Sequence, residues 1–145
     1  MSRRIPKLLY DEVLELATLI AQPNASPVEN VDQAAASRAF GRLLEIYRRQ
    51  ESSGVADPFL TETVADFTEE CGEAVRLYEL ALSQASTFPG EPVATKHVGL
   101  ARRLHEMGRK SEALEHLILA RQAAFAERAT DVLQELNELD REFAV

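Results

Sequence analysis

Apolar residues recur along this chain at the three- and four-residue steps that place side chains on one face of a helix. In the first segment Leu9, Val13, Leu16 and Ile20 form such a stripe, and it predicts a helix over residues 6–22. Comparable stripes predict six further helices, over residues 28–52 (or from 32), 57–70, 73–86, 92–107, 111–128 and from 130 onward. No stretch alternates with the period of two that a β-strand requires. The predicted fold class is therefore all-α, with about seven helices.

Prolines, glycines and capping residues separate the predicted helices. The segment 23–27 contains two prolines and cannot continue a helix. Asp57 is predicted to cap the third helix, with Pro58 in its first turn, where a missing N–H costs nothing. Gly108 is predicted to end the fifth helix with a positive φ angle. Ser111 is predicted to cap the sixth.

One helical pattern occurs twice in the middle of the chain. A Glu-Ala-aliphatic triplet begins each copy, and a second alanine follows seven residues after the first. Ala74 and Ala81 in the first copy correspond to Ala113 and Ala120 in the second, at a constant separation of 39 residues. A fixed period between 20 and 50 residues is typical of stacked helical hairpins.

The second copy resembles a tetratricopeptide repeat (TPR). In a frame over residues 94–127, Leu100 and Ala101 occupy the large-small pair of helix A, and Gly108 the turn between the helices. The helix B signature is filled by Glu112, Ala113, Leu117 and Ala120. A first frame over residues 55–88 departs from the pattern, because Thr61-Glu62 replaces the large-small pair and Glu69 the turn glycine.

The TPR resemblance implies one domain in three parts and a binding function. Residues 1–54 would form an N-terminal helix pair, residues 55–128 two repeats of a right-handed solenoid, and residues 129–145 a capping helix. In such stacks the A helices line a concave groove that accepts a peptide or a partner's helix. The resemblance assigns the following residues to that groove: Phe59, Thr63, Asp66, Phe67, Thr95, Val98, Arg102, His105 and Glu106.

The distribution of charge suggests the character of a partner. The chain carries a net charge of −8, and residues 59–91 are its most acidic section. This balance disfavours nucleic acid, whose phosphates most of the surface would repel. Glu62, Asp66 and Glu69 are predicted to form a carboxylate row on helix three, which Glu73 would extend if the helix continued. The row is either an ordinary solvated face or a docking strip for a basic partner.

The sequence contains no targeting or membrane signal. Arg3 and Arg4 precede Leu8 and Leu9, but acidic residues follow before an apolar segment can form, so neither a signal peptide nor a membrane span is predicted. The single Cys71 excludes an intramolecular disulfide. We therefore expect a cytoplasmic protein that does not contact the membrane.

The sequence gives little indication of an enzyme. Glu112 and His116 lie four residues apart, a spacing that places two metal ligands on one helix face, but a catalytic metal needs a third ligand. Phosphate-binding loops and nucleophile motifs are missing. The prediction is a non-enzymatic protein-binding module with no metal and no cofactor. Two alternatives remain: a stoichiometric inhibitor similar in character to the immunity proteins of bacterial toxins, and a self-associating scaffold that forms a homodimer.

Overall fold

The computed structural model describes residues 4–21 and 29–144, and the side chains of 4–21 and 33–144. Its seven helices are α1 (Lys7–Ala21), α2 (Glu29–Ser52), α3 (Pro58–Phe67), α4 (Cys71–Ala85), α5 (Ala94–Glu106), α6 (Lys110–Glu127) and α7 (Thr130–Phe143). No β-strand occurs in these residues, and the all-α prediction is confirmed. The predicted break at residues 23–27 and the start of the second helix at Val28 lie outside the described residues.

The third helix ends earlier than predicted. Thr68 has an extended backbone (φ −78°, ψ 120°), so α3 stops at Phe67. The Glu70 carboxylate then accepts hydrogen bonds from the backbone N–H groups of Gly72 and Glu73, which caps the start of α4. The predicted carboxylate row is therefore wrong, because Glu69 lies in the link between the two helices.

The caps of the other helices agree only partly with the sequence. Asp57 caps α3 as predicted, accepting from the N–H of Phe59 at 2.9 Å. Gly108 has the predicted positive φ, at 78°. The cap at Ser111 is wrong, since α6 begins one residue earlier at Lys110. After the Gly108 turn the Arg109 N–H donates to the Leu104 carbonyl at 2.9 Å, and the chain re-enters the helical conformation at once.

The helices pack in a regular order in which α5 is central. Each helix contacts the next one along the chain, and in addition α1 contacts α3, α3 contacts α5 and α5 contacts α7. Leu100 and Leu104 of α5 join the apolar core formed with α1 to α4. Val98 and Ala101 join a second core, formed with α6 and α7. Because α5 contributes to both cores and contacts α3, α4, α6 and α7, its position determines how the two halves meet.

Close packing of α5 on α6 depends on small side chains. Ala101 on α5 and Ala113, Ala120 and Ala124 on α6 are fully buried. Alanine lets two helix backbones approach closely, while Leu117 fills the space between them. The repeated alanines that stand out in the sequence therefore lie at a helix interface.

A buried network of charges joins α5 to the start of the chain. Lys96 is only 1% exposed, and its ammonium group contacts Glu62 at 2.8 Å and Glu91 at 3.2 Å. Glu91 also pairs with Arg4 at 2.8 Å, and Arg4 contacts Asp57 at 3.3 Å. The network thus links α5, α3, the α4–α5 loop and the N-terminal segment. A buried ammonium group is tolerated only with such partners.

We predict that replacing Lys96 with Met destabilises the protein by about 3–5 kcal/mol, because the shielded carboxylate of Glu62 would lose its cation and Glu91 would keep only Arg4. The free energy of unfolding in urea measures the effect. Lys7→Met is the matched control, since Lys7 forms an exposed pair with Asp11 and its loss should change stability little. Equal stability of the two variants would contradict a structural role for the network.

Candidate functional site

The helices α3, α5 and α7 border a cleft of about 460 Å³, with α4 at its base. Polar groups make up most of its lining. The lining side chains and backbone come from Glu62, Asp66, Tyr78, Thr95, Val98, Gly99, Arg102, Arg103, Glu106, Val132 and Glu135. A polar cleft between helices is a common place for a binding site.

Most charged groups of the cleft are already paired. Arg102 on α5 contacts Glu135 on α7 at 3.1 Å. Arg103 contacts Glu106 at 3.5 Å and donates to the carbonyl oxygen of Thr68 at 2.7 Å. Both arginines therefore tie the α5 wall to neighbouring elements.

Asp66 is held in the cleft by a buried tyrosine. Tyr78 of α4 is 3% exposed, and its hydroxyl donates to Asp66 Oδ1 at 2.6 Å. The tyrosine ring fits only because residue 99 is a glycine: a Cβ atom built there would lie 2.3 Å from Tyr78 Cζ. Gly99, Tyr78 and Asp66 thus form one chain of contacts from α5 through α4 to α3.

Incomplete solvation changes the acidity of this carboxylate. Asp66 is exposed toward the open cleft, but the protein packed close behind it desolvates the carboxylate and raises its pKa to about 6. The hydrogen bond from Tyr78 and the charges of Lys96 and Arg103 act in the opposite direction, but less strongly. Burial and the negative charge of Asp66 also raise the pKa of Tyr78, which stays a hydrogen-bond donor.

Six of the residues that the sequence assigned to partner binding line this cleft. They come from both frames of the repeat pattern and from the predicted acidic face: Glu62, Asp66, Thr95, Val98, Arg102 and Glu106. Not all of these side chains are free to contact a ligand, since Val98 is buried and Glu62 is paired with Lys96. The cleft therefore brings together assigned residues that are up to 44 positions apart in the sequence, from Glu62 to Glu106.

The other five assigned residues lie elsewhere. Phe59 contacts the Tyr10 ring, with centroids 4.3 Å apart, in a separate groove. Thr63 is buried, and its hydroxyl donates to the Phe59 carbonyl. Phe67 packs against the first core, and Glu69 is exposed in the α3–α4 link. His105 stacks on Phe143 of α7 at 4.0 Å.

The sequence did not indicate several residues that shape the cleft, among them Tyr78 and Gly99 in its lining and Lys96 beside it. Tyr78 stands out as a repeat position, but nothing indicates that its hydroxyl reaches Asp66. Gly99 is a glycine inside a helix, which signals a close approach without naming the neighbour. Lys96 carries no signal, since an isolated lysine is usually exposed.

A second polar contact lies between α5 and α6. The Nδ1 atoms of His97 and His116 are 3.0 Å apart, so one ring donates and the other accepts. Burial lowers the pKa of His97 to about 4, and the neighbouring His116 acts in the same direction. Burial also lowers the pKa of His116, against the charges of Glu79, Glu115 and Glu112. The pair is thus neutral at pH 7 and serves as an interhelix hydrogen bond.

Among the side chains of residues 4–21 and 33–144, no group of three or more His, Cys, Asp or Glu residues could hold a metal ion. The candidate ligands of the sequence are engaged otherwise: Glu112 accepts two hydrogen bonds from Arg109, and His116 contacts His97. Among the described helices, none has the length and apolar character needed to cross a bilayer.

In its described residues the protein is all-helical, and it has a polar cleft of mixed charge between α3, α5 and α7. Comparison of the chain with protein-family models, with curated proteins and with solved structures found no match in any of the three. The cleft and the protein surface are therefore the features on which a function can be proposed.

We predict that Gly99→Ala destabilises the protein by about 1–3 kcal/mol although alanine favours helices, because its Cβ would displace the buried Tyr78 ring. Gly41→Ala is the matched control, since Gly41 also lies inside a helix but a Cβ there meets nothing within 4 Å. That variant should gain about 0.5–1 kcal/mol. Urea unfolding measures both, and a stabilising Gly99→Ala would show that the close approach does not exist.

Proposed function

We propose that this protein is a non-enzymatic protein-binding module, a short TPR-like stack of helical hairpins that holds a partner protein or peptide in the cleft between α3, α5 and α7. The observation that carries the proposal is the position of the cleft. It lies along the helices that the TPR resemblance designates as A helices, and it contains six of the residues assigned to binding from the sequence.

The order of helix packing supports the stacked arrangement. In a TPR-like stack each A helix contacts its own B helix and the next A helix. Here α3 contacts α4 and α5, and α5 contacts α6 and α7, as two hairpins and a capping helix require. The pair α1 and α2 extends the same order, because α1 contacts α3. The N-terminal helix pair thus takes the place of a further hairpin.

The chemistry of the cleft favours a polar, extended partner segment. Its exposed wall contains Thr95 and the ion pair of Arg102 with Glu135, which hydrogen-bonding groups can engage. Val98 and Val132 provide a limited apolar surface. Glu62 does not belong to an exposed acidic strip, because its charge neutralises Lys96. An acidic docking face would therefore consist of Asp66 and the exposed residues near it.

Site-specific cross-linking tests the proposal. A photoreactive residue at Thr95, inside the cleft, should capture a protein in extracts of the native host, whereas the same residue at Ser83, exposed on α4, should not. With the captured protein purified, Arg102→Ala should speed its dissociation roughly tenfold, as expected when an interface arginine is lost. Equal capture at Thr95 and Ser83 would place the binding surface elsewhere.

A second candidate function, self-association, is supported by the outer face of α6. Leu114, Ile118 and Phe125 are 52%, 59% and 66% exposed and border an apolar groove of about 420 Å³. Arg121 lies on the same stripe, but Asp140 neutralises its charge. In an antiparallel pairing of α6 with α6 of a second copy, Leu114 of each would meet Phe125 of the other. Such self-complementarity is what a two-fold interface requires.

If α6 mediates this contact, Ile118→Glu should convert a dimer into a monomer in sedimentation equilibrium experiments, because two carboxylates would be buried near the two-fold axis. Leu8→Glu serves as control, since Leu8 is 86% exposed on α1, away from α6. A wild-type protein that stays monomeric at high concentration would exclude the self-association candidate.

A further inference from the structure

Asp66 differs from the other charged residues of the cleft. Glu62, Arg102, Arg103, Glu106 and Glu135 each have an oppositely charged group within 4 Å. Asp66 has none among the residues that the structure describes, and its only hydrogen bond comes from the Tyr78 hydroxyl to Oδ1. One carboxylate oxygen, Oδ2, is therefore left for another group.

The surroundings hold this carboxylate in place rather than leave it mobile. Tyr78 is buried, has Gly99 directly beside its ring, and aims its hydroxyl at Oδ1 at 2.6 Å. A carboxylate that accepts a bond at one oxygen and is open at the other can accept a charge-assisted bond from an ammonium or guanidinium group. Val98 and Val132 line the same cleft and suit the methylene chain of a lysine or arginine.

We propose that the cleft binds a basic side chain of the partner, with its cationic group at Asp66 Oδ2 and its methylene chain along the apolar lining of Val98 and Val132. This inference rests on the proposed function and specifies the chemistry of the partner at one position. The cation would replace water and protein dipoles as the missing counter-charge, while Tyr78 keeps the carboxylate in position.

The charges around Asp66 determine how such binding depends on pH. Glu62 on α3 repels its negative charge, whereas Lys96 and Arg103 on α5 stabilise it, and Tyr78 on α4 stays neutral. In the same cleft Glu106 is paired with Arg103 and Glu135 with Arg102, so these groups add little net charge. Free Asp66 has a pKa of about 6, so much of it is protonated at pH 5 and most is ionised at pH 7.5. A bound cation favours the ionised form, and affinity should therefore rise with pH across this range.

Two small probes test the proposal without knowledge of the partner: Nα-acetyl-lysine methylamide and Nα-acetyl-arginine methylamide. Carboxyl carbon NMR of the labelled protein follows the titration of Asp66 with and without each probe. We expect at least one cationic probe to lower the Asp66 pKa by about one unit, since a cation within 4–6 Å has that effect. Comparing the two distinguishes an ammonium site from a guanidinium site.

The neutral norleucine analogue and sodium chloride at equal ionic strength are the controls, and both should leave Asp66 unchanged. A shift of one unit corresponds to about a tenfold rise in probe affinity from acid to neutral pH. Asp66→Asn, checked for folding by circular dichroism, should lose that rise. If this variant is unfolded, the titration of the wild-type protein alone decides.

An unchanged Asp66 titration with both cationic probes would overturn this inference. The proposed function is judged separately, by cross-linking from Thr95. If Thr95 captures a partner selectively but Asp66 does not respond to the probes, the cleft remains the proposed binding site and the basic side chain at Asp66 is excluded. Failure of both would remove the cleft as the binding site.

Discussion

The burial of one positive charge governs how the rest of the structure is assembled. Lys96 lies inside the protein, where an ammonium group is stable only if several oxygens replace its water. Glu62, Glu91 and the carbonyl of Pro92 supply them, at 2.8, 3.2 and 2.6 Å. These oxygens come from α3 and from the loop before α5, and Glu91 in turn holds Arg4. A single desolvated cation thus fixes three segments that are distant in the sequence, and an apolar side chain in its place would specify none of these contacts.

The same requirement explains the character of the cleft. Because Lys96 neutralises Glu62, only one carboxylate of α3 remains without a cation, and Tyr78 holds it at a defined position. The close approach of Gly99 to Tyr78 depends in turn on where α5 lies. The base of the cleft is therefore built from packed groups, and Asp66 is the one charged cleft residue that has no counter-ion within 4 Å among the described residues. Its wall and its chemistry follow from the packing of α5.

Periodicity predicted the helices well, because each of them buries one apolar face and Gly and Pro mark their ends. The alanine spacing likewise indicated the α5–α6 interface, where Ala113 and Ala120 are fully buried. The end of α3 was missed since Glu70, a poor sign of a cap in a sequence, provides the capping carboxylate. The pair of Lys96 with Glu62 and the contact of Tyr78 with Asp66 join residues more than ten positions apart. No local pattern records such pairings, so the sequence indicated that α3 and α5 line the cleft but indicated neither α7 nor the charges that are neutralised there.

The ion pairs of the cleft differ in how easily a partner can rearrange them. Arg102 and Glu135 are each at least 40% exposed, and such solvated pairs contribute little to stability. A partner can separate these two side chains and bind either one at small cost. The pair of Lys96 with Glu62 is shielded from water, and separating it would leave buried charges unpaired. Binding as proposed would therefore rearrange the outer wall of the cleft while the base keeps its geometry, which would combine an anchor at Asp66 with an adaptable rim.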